Sequence, residues 1–246
     1  MKIMQSLKEL FIREVVAEAF RRAPAGHTPR VMDLGCGTAS YVPSLLKRFP
    51  NIEYVGVEPI ATSFAVAERT LANVPSAKVH FQLGYDSVPD EKEESFDLVF
   101  SLSVLEHIKQ LDRFISLSAK YTKSGGLVVH RYDLGHALAP HSLKERLHVI
   151  AGNHCPQILP ERQFVRYVGV PEVEALYRKV QLTPIDTTYH QMPNHKHFEK
   201  YFRDMNSTAV DELFAWEMKH QSDFKSIPES ERERLFPAVA VWGEKA

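Results

Sequence analysis

Apolar positions in the first half of the chain change period repeatedly. Ile3, Leu7, Leu10, Phe11 and Val15 recur at helical spacing, with Lys8, Glu9, Arg13 and Glu14 between them, which predicts an opening helix within residues 1–27. Arg30-Val31-Met32-Asp33-Leu34 then reads as a strand that breaks at Gly35-Cys36-Gly37. Val42, Leu45, Leu46 and Phe49 mark one face of the next helix, with Pro43 in its first turn, where a missing N–H costs little. A strand over Ile52–Glu58 and a helix over Ile60–Ala72 follow, the latter with Ile60, Phe64, Ala67 and Leu71 turned inward. Lys78–Gly84 alternates as a third strand, and Asp90-Glu91-Lys92-Glu93-Glu94 reads as a solvated turn. Phe96–Ser101 is a continuous apolar strand, Ile108, Leu111, Ile115 and Ala119 form a helical stripe, and Gly125-Gly126 leads into a fifth strand, Leu127–Tyr132. Such alternation implies right-handed crossovers and a parallel sheet covered on both faces. Ligands of such sheets bind beyond the carboxyl ends of the strands.

The second half is less regular. Residues 135–170 carry Pro140, Pro156 and Pro160 and one helix near Leu143–Ala151. Pro171 opens a helix with Val173, Leu176, Tyr177 and Val180 inward, and Thr183–His190 reads as a strand. Thr208-x-x-Asp211 has the form of a capping box before a helix through Val210, Leu213, Phe214 and Met218, and Ala238–Trp242 closes as a strand. No internal repeat or linker divides the chain. We therefore expect one domain over 1–246: an opening helix (1–27), a core (28–134), and insertions at 135–170 and 190–236. Trp216 and Trp242 are expected in the core.

Composition narrows the class. With 44% apolar and 25% charged residues over 246 positions, the chain is neither disordered nor fibrous. No apolar run approaches the roughly 20 residues of a membrane span, and a net charge of −1 offers no broad footprint for nucleic acid. Two cysteines, Cys36 and Cys155, make no disulfide framework. The expectation is a cytoplasmic protein with a small-molecule partner, no nucleic acid and no membrane; the oligomeric state stays open.

The most informative stretch is Asp33-Leu34-Gly35-Cys36-Gly37-Thr38-Ala39. Glycines after a buried strand let the backbone turn tightly and approach a ligand without a Cβ in the way. Glu58 ends the next strand, 25 residues after Asp33, where an acid accepts both hydroxyls of a ribose. Asp33 sits where a pyrophosphate would be repelled, so a cationic ligand suits the turn better.

These residues resemble the class I S-adenosylmethionine-dependent methyltransferases. Asp33–Ala39 matches their first motif, with Ala39 at the last, variable glycine; Val57-Glu58-Pro59 matches the ribose acid. Ser95-Phe96-Asp97-Leu98-Val99-Phe100-Ser101 followed by Val104-Leu105-Glu106-His107-Ile108 matches the fourth-strand motif of small-molecule members, including those of quinone biosynthesis. The resemblance implies a Rossmann-like α/β fold, with a seven-stranded, mostly parallel sheet, an antiparallel last strand and helical caps. It also implies S-adenosyl-L-methionine as cofactor. Asp33 and the Gly35-Cys36-Gly37 backbone would hold its methionine end, Glu58 with Pro59 its ribose, Ile60 its adenine. Tyr85 and Asp86 fall where the family reads the adenine amino group, and Ser101 would flank the methionine amine.

Absences refine this. Ser101-Leu102-Ser103-Val104 is not the Asn/Asp-Pro-Pro-aromatic run of exocyclic-amine methylases, and Ser101 is not the metal-binding Asp of catechol-type enzymes. Some relatives bind a divalent metal through Glu-x-x-Glu-His; here the first acid is Ser103, so Glu106 and His107 read as shaping the pocket, and no metal is expected. Eight of the twelve histidines fall between His130 and His197. His190, His195 and His197 have metal-ligand residue types but no cysteine or carboxylate cluster beside them. The 135–170 insertion leaves the fifth strand at its carboxyl end, so it should roof the acceptor cleft, and its basic, histidine-bearing character suits an anionic or polyhydroxyl acceptor such as a sugar. A quinone precursor, a phenol or an amine is the alternative; a catalytically silent cofactor-binding subunit is another. For a general base the order is His136, then His130 or His107, with Asp133 orienting it or binding an acceptor hydroxyl.

Overall fold

Seven consecutive buried residues, Phe96–Leu102, form strand β4. A strand apolar on both faces belongs in the middle of a covered parallel sheet. In the computed structural model, which describes residues 7–138, 142–155, 157, 159, 164–191 and 207–246, it lies between β1 (Arg30–Leu34) and β5 (Thr122–Asp133). The side chains of His136 and of residues 207–209 lie outside that description. With β2 (Glu53–Glu58), β3 (Ala77–Phe81), β6 (Leu182–His190) and β7 (Ala238–Lys245), the sheet runs β3-β2-β1-β4-β5-β7-β6. β7 is antiparallel to both β5 and β6, and the remaining pairs are parallel. The order reverses between β1 and β4, which opens a crevice at their carboxyl ends.

Strand alternation sorts the two faces. Val31, Leu98, Phe100, Leu127 and Val129 point to the side covered by α1 (Leu7–Arg22), α2 (Val42–Arg48) and α3 (Ala61–Leu71), where Phe11, Ile12, Val42, Leu45 and Ala67 meet them. Met32, Leu34, Val99, Val128 and Tyr132 point to the other, against Phe114 and Ile115 of α4 (Leu111–Tyr121) and Val173 and Tyr177 of α7 (Val170–Lys179). The 135–170 stretch contributes α5 (Gly135–Leu138) and α6 (Leu143–His154); α8 (Ser207–Lys219), α9 (Gln221–Ser226) and α10 (Glu229–Leu235) precede β7.

Several local expectations are corrected. The third strand stops at Phe81, and the fifth starts at Thr122, taking in Gly125-Gly126. Ile60 does not turn inward: it stands extended before α3 with half its surface exposed. Trp216 is exposed on α8, whereas Trp242 is buried. α8 is already helical at Ser207, so Thr208 lies inside it instead of capping it. Glu91 is no solvated turn residue; its buried carboxylate binds Arg30 at 2.9 Å, Lys78 at 2.5 Å and His80 at 2.9 Å.

Candidate cofactor and acceptor site

β1 ends in a turn that only glycine fits. Gly35 has φ +86°, and a Cβ there would lie 2.6 Å from Val104 Cγ2; Gly37 has φ +60° with open space where its Cβ would be. Ala39, at the third glycine position of the motif, also adopts positive φ, +51°. The Gly35 and Cys36 N–H groups both donate to the Val57 carbonyl, at 2.8 and 3.1 Å, stitching the turn to the end of β2. The Cys36 thiol packs on Gly56, where an added Cβ would lie 2.8 Å from Sγ. Burial pushes that thiol's pKa well up, so it is no nucleophile.

Register then brings the acid across. Asp33 pairs with Gly56 and Leu34 with Val57, so Glu58 stands beside the turn. Its Oε2 accepts the Gly37 N–H at 2.8 Å and its Oε1 accepts the Ile60 N–H at 2.9 Å. The carboxylate is buried and fixed at both oxygens, next to exposed Pro59 and half-exposed Ile60. Turn and acid are thus directly bonded.

Asp33 lies beneath. The hydroxyls of Tyr41 and Tyr54 donate to its Oδ2, the second at 2.9 Å, while Oδ1 is buried without a partner. Burial raises its pKa to about 6 against the pull of the two hydroxyls. Lys8, on α1, faces Asp33, Glu106 and Arg131, and its own pKa is lowered, first by desolvation and then by Arg131. An unpartnered carboxylate oxygen beside an open glycine cradle fits a cationic amine and sulfonium. The residues present therefore suit the donor.

The 103–107 loop adjoins the turn, with Val104 against Gly35. Ser103 takes φ +56° with its N–H on the Arg131 carbonyl at 2.7 Å, and the turn Leu105–His107 follows. Glu106 is buried: Oε1 accepts the Asp133 N–H at 3.3 Å, Oε2 has no partner, and desolvation raises its pKa to about 7. His107 is half-buried, its Nδ1–H donating to the Phe164 carbonyl at 2.9 Å. Asp133 Oδ1 accepts the Gly135 N–H at 2.6 Å at the start of α5.

Other expected residues are placed elsewhere. Ser101 and His130 are wholly buried and share a hydrogen bond of 2.8 Å on the α4/α7 face, away from Asp33. His130 stands among Phe114 and Tyr177, and desolvation lowers its pKa to about 3. Such a ring is a poor base at neutral pH. It is a core histidine. Tyr85 packs edge-on against Phe114, and exposed Asp86 is bound by Arg113. His136 sits in α5, but its side chain lies outside the described residues, as do His141, His195 and His197. His190 is buried, its Nδ1–H donating to Glu217 at 3.1 Å. Among the described residues no three metal-ligating side chains come together.

Known proteins agree with this geometry. A family profile described as "Methyltransferase domain" matches residues 32–128, from β1 into β5. Over those residues the chain is similar to that family. The matched stretch takes in the glycine turn, Glu58 and β4. Among curated relatives, a ubiquinone biosynthesis O-methyltransferase of Agrobacterium fabrum is 30% identical over 122 residues, 48% of each protein. One from Brucella melitensis is 26% identical over 186 residues, 72% of this chain and 70% of that one. The chain thus spans about half of the first relative. Of solved structures, the geranyl diphosphate C-methyltransferase of Streptomyces coelicolor, in complex with Mg2+, geranyl diphosphate and S-adenosyl-L-homocysteine, shares the fold at TM-score 0.59. It is 14% identical over 94% of this chain and 77% of that one.

Proposed function

We propose that the chain O-methylates a hydroxyl of a small molecule, with a phenol or quinone precursor as acceptor. The observation that carries the donor half is Glu58, held by both the glycine turn and the β2 exit. The acceptor half draws on the relatives' names and on the histidines. A sugar or other polyhydroxyl acceptor rests on the basic, histidine-bearing character of the 135–170 insertion; the names of the relatives favour the phenol or quinone precursor.

S-adenosylmethionine supplies, when bound, an electrophilic methyl group on a sulfonium. The chain's residues hold and orient. Glu58 with Pro59 takes the ribose hydroxyls, exposed Ile60 offers an apolar face to the adenine, and Asp33 with the Gly35-Cys36-Gly37 backbone takes the methionine end. On the acceptor side, the described part of the 135–170 insertion meets Glu106 and His107 through Arg166 and Phe164. Ser101, turned into the core, supports the β4 end through His130 instead of touching the donor. Glu106 is the residue that sequence reasoning left as a mere wall. Its unpartnered Oε2, with a pKa about 7, is the best-placed acceptor for the hydroxyl proton in the described site. His107 is held by the Phe164 carbonyl, and Asp133 is spent on α5.

Calorimetry against S-adenosylmethionine tests the donor half: Glu58→Ala should weaken binding about 10- to 100-fold, since two charge-assisted hydrogen bonds are lost. Unchanged affinity refutes the assignment. Labelled cofactor with a panel of dihydroxybenzoates, sugars and amines tests the acceptor half. Methyl transfer to sugars alone overturns it, and donor binding with no transfer across the panel favours the silent subunit.

A further inference from the structure

α6 has two faces, and the described fold uses one. Val149 and Gly152 turn inward, and a Cβ on Gly152 would lie 2.0 Å from the Val165 carbonyl oxygen. Asn153 Oδ1 accepts the Tyr167 N–H at 3.1 Å, so the helix is pinned to residues 164–167. That segment reaches the site wall: the Arg166 N–H donates to the Glu106 carbonyl at 3.0 Å. On the opposite face Leu143, Leu147 and Ile150, at i, i+4 and i+7, are 73%, 56% and 56% exposed. Helical geometry puts Lys144 on one flank of this stripe and Arg146 on the other, both exposed, with Glu145 turned away.

We propose that this stripe is a shallow docking face for an anionic lipid surface. Leucine and isoleucine between flanking cations is the composition of an interfacial helix, whose apolar side chains enter the acyl boundary while the long basic ones stay at the headgroups. A second copy of the chain is the weaker occupant. The patch is on the order of a few hundred Å², against roughly 800 Å² per partner in a standard interface. A two-fold contact would also crowd Lys144 and Arg146 of both copies into one small patch. The sequence expectation of no membrane partner rested on the lack of a span; no described helix is long and apolar enough to cross a membrane, and a surface contact needs none. With a net charge of −1 the attraction is local to α6, and so sensitive to salt.

The test is co-sedimentation of the full chain with large vesicles of phosphatidylcholine alone, or mixed equally with phosphatidylglycerol, at low and high salt. The expected result is a bound fraction several-fold higher on the mixed vesicles, falling as salt rises. L147E/I150E should abolish binding, and K144E/R146E should abolish the preference for phosphatidylglycerol. Thermal melting checks that these surface variants fold; should the double apolar variant melt early, Leu147→Ser alone is read the same way. Equal sedimentation of wild type and variants overturns the proposal. So does sedimentation-velocity self-association that L147E/I150E removes while vesicles bind nothing, which would assign the stripe to a second copy.

Discussion

Gly35 and Gly37 both adopt positive φ, yet an alanine at each should fail differently. At position 35 the added methyl meets Val104 at 2.6 Å as well as the left-handed backbone, so Gly35→Ala should cost about 2–4 kcal/mol of stability. At position 37 there is room, so Gly37→Ala should cost only about 1–2 kcal/mol of backbone strain. Its methyl would, however, enter the donor's space, so affinity for S-adenosylmethionine should fall more than stability does. Denaturant melts and calorimetry on the pair separate the two effects. Glu106 gives the third residue-scale expectation. Glu106→Gln should lower turnover of an accepted hydroxyl substrate by about 10²–10⁴ and remove the kcat inflection near pH 7, with donor affinity largely kept.

At the scale of elements, α8 is tied to the sheet through one buried acid. Glu217 accepts the Gln191 N–H at 2.9 Å and the His190 Nδ1–H at 3.1 Å, and Gln221, one turn on, exchanges hydrogen bonds with the Tyr189 backbone. Desolvation lowers the His190 pKa, so the ring is neutral and donates. Glu217→Ala would strand both donors, and should cost about 2–4 kcal/mol in a denaturant melt. The first-half elements were legible in sequence because each needed one period only. The glycine turn and Glu58 were legible because backbone conformation and strand register constrain them without reference to the rest of the chain. His130 and Glu106 were not. Period-two alternation tells which residues share a face, but a sheet buried on both sides gives no sign of which face meets the ligand. That sign comes from Lys8 on α1, whose charge is felt by Asp33 and by Glu106, about a hundred residues further on. Trp216 and Ile60 were misjudged for a related reason: apolar character marks a buried side only when another element arrives to cover it.

For the whole molecule, two acids carry raised pKa values, Asp33 to about 6 and Glu106 to about 7, both from burial. Each keeps its proton in the folded state over a range where the unfolded chain has lost it. Stability of the empty protein should therefore be highest below about pH 4, as far as these two are concerned, fall as pH rises from there through 6 and 7, and level off above. For each acid the decline should amount to about 1.4 kcal/mol per pH unit separating its unfolded pKa from its folded one. Asp33→Asn and Glu106→Gln should each flatten the curve, as read by melts between pH 5 and 8. A cationic donor favours the ionised acids, so its binding should release protons. Its affinity should rise over the same interval, a trend that calorimetry in buffers of different ionisation enthalpy measures directly. At 100 times Kd the donor should add about 2.7 kcal/mol of stability.

The seating of Cys36 beneath Gly56 makes the chain its own reporter of local opening. Cys155 is exposed and should react with a thiol reagent at once, whereas Cys36 has nowhere to admit one until β1 and β2 part. The second labelling rate thus counts how often the nucleoside cradle comes undone, without any probe being engineered in. A saturating donor that clasps both strand ends should slow that rate in proportion to its occupancy.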